Sequence, residues 1–204
     1  MESGLYDWFE PLYAEADNAT QIPWALPEAT PYLTQWLKEN SVNGSGRSAV
    51  VVGCGLGNDA EALAAAGFSV TAFDVSKSAI AWAKKRFPNS SVSYVVADLF
   101  DMPAEWKGSF DIAFEFRTIQ ALPISMREAA IAQICLLPKA GATLLLATYT
   151  RATNAIPDGP PWPLSEEELA QFEEEGLNPV KKERFYSKES RFSDRILIEY
   201  LKLL

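Results

Sequence analysis

The chain has 204 residues, 48% of them apolar, and a formal net charge of −9 from 18 basic and 27 acidic side chains. That length suits one domain with a core of its own. The acidic balance argues against nucleic acid as partner or substrate, because phosphate backbones are met with positive charge. No apolar run approaches a membrane span, and Met1-Glu2-Ser3-Gly4 lacks the basic-then-apolar start of a secretion signal. The expected location is therefore the cytoplasm and the expected partner a small molecule. No histidine occurs, which excludes histidine-based triads and histidine metal sites. Cys54 and Cys135 have no metal-ligand spacing, so they read as small buried residues and no metal is expected.

Residues 1–46 precede the first predicted strand. Tyr6, Trp8, Phe9 and Tyr13 recur at helical spacing, and Trp24 lies on a loop held by Pro23 and Pro27. Glu28 to Glu39 reads as an amphipathic helix with Tyr32, Leu33, Trp36 and Leu37 inward, and Ser41 to Gly46 as a flexible linker. This leader is expected to be a helical lid over a core at 47–204, within a single domain.

The core alternates strands and helices, which predicts an α/β fold with a parallel sheet. Ser48 to Val52 is the first strand and Asp59 to Ala66 a helix. Ser69 to Phe73 is the second strand, ending at Asp74. Ser76 opens a helix over Lys77 to Phe87 that stops before Pro88. Ser91 to Ala97 and Phe110 to Phe116 are the third and fourth strands. Ser125 is expected to cap a helix with Met126, Ala130, Ile134 and Leu137 on one face. Pro138 to Gly141 should turn the chain into an apolar strand, Thr143 to Thr150. A proline-rich loop spans Arg151 to Pro163. Ser165 with Glu168 is a capping box for a helix through Glu175, ended by Gly176. Two last strands, 178–186 and 194–203, read as an antiparallel edge hairpin.

Chemistry concentrates in one stretch. Between the first strand and the first core helix stand Gly53, Cys54, Gly55, Leu56 and Gly57. Glycines there allow positive φ and close approach of a ligand to the backbone, next to a helix N-terminus with unpaired N–H groups. The spacing is Gly-x-Gly-x-Gly, not the Gly-x-Gly-x-x-Gly of nicotinamide cofactor sites. Asp74 follows about twenty residues on, where an acid reaches a ribose hydroxyl pair. Open parallel sheets bind ligands at the carboxyl ends of their strands. Those ends carry Asp74 with Val75 and Ser76, Asp98 with Leu99 and Phe100, and Glu115 with Arg117.

The turn and Asp74 together resemble the cofactor site of class I S-adenosylmethionine-dependent methyltransferases. Phe110 to Arg117, followed by Ala121-Leu122-Pro123 and Met126-Arg127, resembles the fourth-strand region of the thiopurine S-methyltransferase family, which includes plant thiol and halide methyltransferases. Gly159-Pro160-Pro161-Trp162-Pro163-Leu164-Ser165 is similar to that family's loop after strand five, and the likeness extends over about residues 20–186. It implies a Rossmann-like, seven-stranded, mostly parallel sheet with helices on both faces and an antiparallel edge hairpin. It also implies S-adenosylmethionine as cofactor, with contacts at Trp24, Gly53, Asp74, Asp98, Leu99 and Arg117. By cofactor chemistry the set extends to Cys54, Gly55, Gly57, Val75, Ser76, Phe100 and Glu115. In this scheme Asp74 accepts both ribose hydroxyls and Asp98 accepts from the adenine amino group. Leu99 and Phe100 pack on the ring, the turn receives the methionine part, and Glu115 or nearby carbonyls hold the amino group. Arg117 matches an arginine of the thiopurine enzymes, where the thiol and halide enzymes carry an aromatic residue.

The expected reaction is methyl transfer to a small soft nucleophile such as sulfur, halide or chalcogen. Such an acceptor needs alignment and desolvation more than a base, which suits a chain without histidine; no catalytic residue is assigned. An O- or N-methyltransferase of a small metabolite is the alternative. A nicotinamide oxidoreductase and a non-catalytic binding protein of the same fold also remain open.

Overall fold

In the computed structural model the described residues are 4, 6–152, 158–186 and 194–204. The first residues of the chain, part of the proline-rich stretch and residues 187–193 lie outside them. The chain divides into two compact units, residues 1–102 and 103–204.

In the first unit, buried apolar runs become three parallel strands in the order β3-β2-β1: β1 Ser48–Val52, β2 Ser69–Asp74 and β3 Ser93–Val96. Val50 pairs with Thr71 and Phe73 with Val95. Four helices accompany them: α1 Phe9–Ala14, α2 Pro31–Glu39, α3 Asn58–Ala65 and α4 Lys77–Arg86. Helix α4 starts where the Ser76 hydroxyl accepts the Ala79 N–H at 3.0 Å. It ends on Lys84, Lys85 and Arg86, whose charges suit the negative helix end.

Helix α2 begins at Pro31, three residues later than the sequence predicts. Proline has φ preset for the first helical position and no N–H to lose there. The preceding Thr30 N–H is fixed by Asp59 Oδ1 at 2.7 Å. Tyr32, Leu33 and Trp36 point inward as expected. The segment Ser41 to Gly46 is not a loose linker. Gly44 donates its N–H to the Ala66 carbonyl at 2.8 Å, and its α-carbon lies so close to Phe68 that a Cβ would clash.

In the second unit the order is β4-β5-β7-β6, with β4 Phe110–Phe116, β5 Pro138–Tyr149, β6 Leu177–Tyr186 and β7 Asp194–Lys202. Strands β4 and β5 are parallel; β7 runs antiparallel to both β5 and β6. The helices are α5 Thr118–Ala121, α6 Arg127–Cys135 and α7 Glu166–Glu174. Ile112, Phe114, Leu144, Leu146, Ile198 and Tyr200 are fully buried, and Tyr200 stacks on Phe172 of α7 at 5.2 Å.

Two expectations are corrected here. Ser125 does not cap α6, because it lies inside a 3-10 turn, Ile124–Met126, and Met126 takes the cap position. Pro138 to Gly141 does not precede β5 but opens it. Phe110 faces Pro138 while Ile112 already faces Thr143, so the extra residues bulge around Gly141 at φ +75°. The capping box of α7 is present, with Ser165 Oγ accepting from Glu168 N–H and Glu168 Oε2 accepting from Ser165 N–H.

The seven strands are thus mostly parallel with an antiparallel edge pair. No helix among the described residues is long and apolar enough to cross a membrane.

The turn after β1 depends on glycine twice over at position 57. Its φ is +87°, and an added Cβ would fall inside van der Waals contact of the Tyr94 hydroxyl and ring. Gly57→Ala is expected to cost about 2 kcal/mol or more from backbone strain and overpacking. In a chain of this size that lowers the calorimetric melting temperature by about 4–8 °C. Adding Tyr94→Phe, which removes the nearest atom, should recover part of the loss.

Candidate functional site

The first unit places Gly53 to Gly57, Asp74 to Ser76 and Asp98 to Phe100 at the ends of its three strands. Gly53, Gly55 and Gly57 all take positive φ, at 57°, 50° and 87°. The turn does not expose all of its amides, however. Cys54 N–H donates to the Phe73 carbonyl at 2.8 Å, and Gly57 N–H to the Cys54 carbonyl at 3.0 Å. Gly55 N–H donates to Asp74 Oδ2 at 2.9 Å. What the turn offers a ligand at these positions is bare backbone and close approach, not free donors.

Asp74 closes β2 and is 7% exposed. Its two oxygens are divided: Oδ2 holds Gly55 N–H, and Oδ1 holds Ser76 N–H at 2.9 Å. Burial raises its pKa to about 6 against these backbone bonds, which act to lower it. The same burial, with Asp74 nearby, pushes the Cys54 thiol well above its ordinary range.

Asp98 caps a 3-10 turn, Leu99–Asp101, through Oδ1 and the Phe100 N–H at 2.9 Å. Its Oδ2 accepts the Tyr6 hydroxyl at 2.5 Å, and the Tyr6 and Phe100 rings meet at 5.8 Å. Burial and this carboxylate push the Tyr6 phenol up to about 12.

Glu10 of α1 reaches the start of α4. It accepts from the Ser76 hydroxyl at 2.6 Å, the Ser78 hydroxyl at 2.6 Å and the Ser78 N–H at 3.2 Å. Burial acts to raise its pKa, but these bonds hold the carboxyl below its usual value. Trp24 lies among Trp8, Phe9 and Tyr13, edge-on to each, and its indole N–H donates to the Tyr13 hydroxyl at 2.7 Å.

Tyr6, Glu10 and Tyr13 thus hydrogen-bond to the predicted positions Asp98, Ser76 and Trp24, and Glu10 also to Ser78; sequence reasoning singled out none of these four for the site. The available signal was Tyr6, Glu10 and Tyr13 at helical spacing in the leader, and a second serine after Asp74.

In the second unit the end of β4 carries Glu115 and Arg117. Glu115 is fully buried and its Oε1 accepts from the N–H groups of Thr118 and Ile119, at 2.5 and 3.0 Å, holding the first turn of α5. Its Oε2 has no hydrogen-bond partner among the described residues. Burial raises its pKa to about 7, against those backbone bonds and the charge of Arg127.

Arg117 has φ +68°, rare for a residue with a side chain. Its guanidinium lies over the Phe116 and Tyr149 rings, at 4.5 and 5.2 Å, and donates to the Tyr149 hydroxyl at 3.2 Å. Gln120 Oε1 ties the end of β5 by accepting from the Thr148 hydroxyl and the Tyr149 N–H. The loop before α7 is fastened by Trp162 N–H on the Gln120 carbonyl, and by Arg127 Nη2 on the Trp162 carbonyl. Glu168 joins Arg127 and Arg151 beneath it. Among the described residues no group of three or more His, Cys, Asp or Glu side chains could hold a metal ion.

A glycine turn clasped by an acid from the next strand, in a sheet of this order, defines the class I methyltransferase fold. Solved structures agree. N-methyltransferase NodS from Bradyrhizobium japonicum, crystallised with S-adenosyl-L-homocysteine, superposes with a TM-score of 0.74 at 21% identity, over 97% of this chain and 98% of its own. The sequence pattern of the Thiopurine S-methyltransferase (TPMT) family matches residues 14–197, and the chain belongs to that family. A probable thiol methyltransferase 2 of Arabidopsis thaliana is 30% identical over 153 residues, 72% of this chain and 65% of that protein. A ubiquinone biosynthesis O-methyltransferase of Xanthomonas campestris is 36% identical over 108 residues, 52% of this chain and 44% of its own. The chain thus spans less than two thirds of the length of either relative.

The raised carboxyls give the protein a definite pH response. A carboxyl whose folded pKa lies above its unfolded value contributes stability below the unfolded value, and that stability is lost as pH rises through the folded one. Glu115→Gln removes such a group. Its thermal stability relative to wild type should therefore improve as pH is raised from about 4.5 to about 8, read by melting curves across that range. A variant whose offset stays constant with pH would contradict the raised pKa.

Proposed function

We propose that the protein is a methyltransferase of small molecules that uses S-adenosylmethionine, with a soft sulfur nucleophile as acceptor, working as a single domain in the cytoplasm. The observation that carries the reading is Asp74, buried at the end of β2 and bonded to the glycine turn by one oxygen and to the start of α4 by the other.

The residues fit the cofactor. Each Asp74 oxygen holds one of these backbone N–H groups and keeps acceptor capacity, which matches a vicinal diol. The glycines leave side-chain-free backbone where Tyr13 and Tyr94 already fill the space a Cβ would take. Leu99 and Phe100 supply an apolar wall, and Asp98 beside them an acceptor for an amino group. Val75 and Ser76 follow Asp74 into α4. Trp24 enters the proposal from the leader, and Glu115 and Arg117 on the strand-end rule and the family resemblance.

When bound, the cofactor supplies an electrophilic methyl group on a sulfonium. The chain's own task is to bind, align and keep water out. A soft anion is helped most by being aligned and stripped of water, since no proton has to leave it during the transfer. The absence of histidine is in keeping with that. The thiol methyltransferase relative favours sulfur. The O-methyltransferase relative gives the second reading, a hydroxyl acceptor, for which an Asp or Glu carboxylate could serve as base.

Two measurements test the proposal. Asp74→Ala should weaken S-adenosylhomocysteine binding by calorimetry while circular dichroism shows the fold retained; unchanged affinity removes the site. In wild type the affinity should rise with pH through about 6, as Asp74 ionises. With labelled cofactor, thiols and thiocyanate should be methylated in preference to amines and hydroxyls. Methylation of hydroxyls alone selects the second reading.

A further inference from the structure

Tyr13 is the buried residue of α1, 4% exposed. Its hydroxyl stands at the glycine turn: a Cβ on Gly55 would lie 2.9 Å from the phenolic oxygen. Burial first, and then the nearby Asp74 carboxylate, hold the Tyr13 phenol well above its ordinary pKa. The group is therefore a neutral O–H at any working pH.

An indole N–H can only donate. The bond from Trp24 at 2.7 Å consequently makes the Tyr13 oxygen the acceptor and leaves the phenolic hydrogen to point elsewhere. Among the described residues nothing accepts that hydrogen. A buried donor without an acceptor costs free energy, and here it lies where the backbone is barest. Gly55 N–H is itself a donor, already given to Asp74, and offers that hydrogen nothing.

We propose that Tyr13 is a cofactor-binding residue whose O–H donates to the carboxylate at the amino-acid end of S-adenosylmethionine, and that Trp24 is the positioning residue that aims it. The assignment rests on the proposed function, in which the glycine turn receives the amino-acid end. It gives Trp24 a role through Tyr13, and it explains a tyrosine whose ring supports the turn while its hydroxyl is fixed from behind. The ribose hydroxyls are donors suited to Asp74; the carboxylate is the acceptor that a neutral phenol suits.

The test compares S-adenosylmethionine with its decarboxylated form, which keeps the adenosine, the sulfonium and the amine. Both are titrated calorimetrically into wild type, Tyr13→Phe, Trp24→Phe and the double variant, with melting curves to confirm folding. Loss of a hydrogen bond to a charged group corresponds to about a ten- to hundredfold change in affinity. Tyr13→Phe should weaken S-adenosylmethionine by that much and leave the decarboxylated form within about twofold, so that the preference between them collapses. Trp24→Phe should reduce the preference in part, and add nothing once Tyr13 is phenylalanine. Equal losses for both ligands, or a preference untouched by Tyr13→Phe, overturns the assignment while leaving the cofactor reading in place. A wild-type protein that binds neither ligand overturns both.

Discussion

The bond between the Asp74 carboxylate and the Gly55 amide is the constraint on which the first unit is built. It joins the turn after one strand to the end of the next, at a point where the backbone has no side chain to lock it. The other Asp74 oxygen fixes the start of α4, so one acid sets the position of two elements. The acid is held there at the cost of a raised pKa, because the carboxyl is buried. Active sites are places where burial and neighbouring charges shift the pKa of an acid in this way.

Around that bond the leader is fastened by polar contacts with residues proposed to hold the cofactor. Tyr6 is on Asp98 and Glu10 on Ser76 and Ser78, while Tyr13 lies under Trp24. Ile22, Leu56 and Ala79 complete an apolar cluster behind them. Each aromatic contact contributes on the order of 1 kcal/mol beyond its burial, so the leader is held by packing as well as by hydrogen bonds. These contacts are what a lid formed by residues 1–46 would have to release and remake, and they require no separate domain.

The fold was largely legible in the sequence, because apolar runs and glycine turns repeat in step with strand and helix. Phe110 to Phe116 needed no adjustment, and the capping box at Ser165 and Glu168 was readable by spacing alone. The misreadings have local causes. Ser125 looks like a cap, but the chain enters α6 through a 3-10 turn that carries the serine past the cap position. Pro138 and Gly141 look like a turn, but a bulge lets β5 absorb them. Of the proposed site, Asp74 and Asp98 are legible in the sequence because they stand at strand ends. Tyr6, Glu10 and Tyr13 could not be assigned, because their roles come from contacts over as many as 92 residues of sequence. The inward use of the Gly55 amide was equally hidden, since a glycine pattern reports permitted φ and not the direction of an N–H.

The lack of histidine has a consequence for how this protein handles protons. Ordinarily imidazole is the group that changes charge near neutrality. Among the described side chains, two buried carboxyls move into that range, Asp74 at about 6 and Glu115 at about 7. The interior therefore becomes more negative as the solution turns alkaline, opposite in sense to a buried cation forming under acid. A ligand that needs Asp74 ionised must drive a proton into the surrounding buffer whenever it arrives on the acid side of that midpoint.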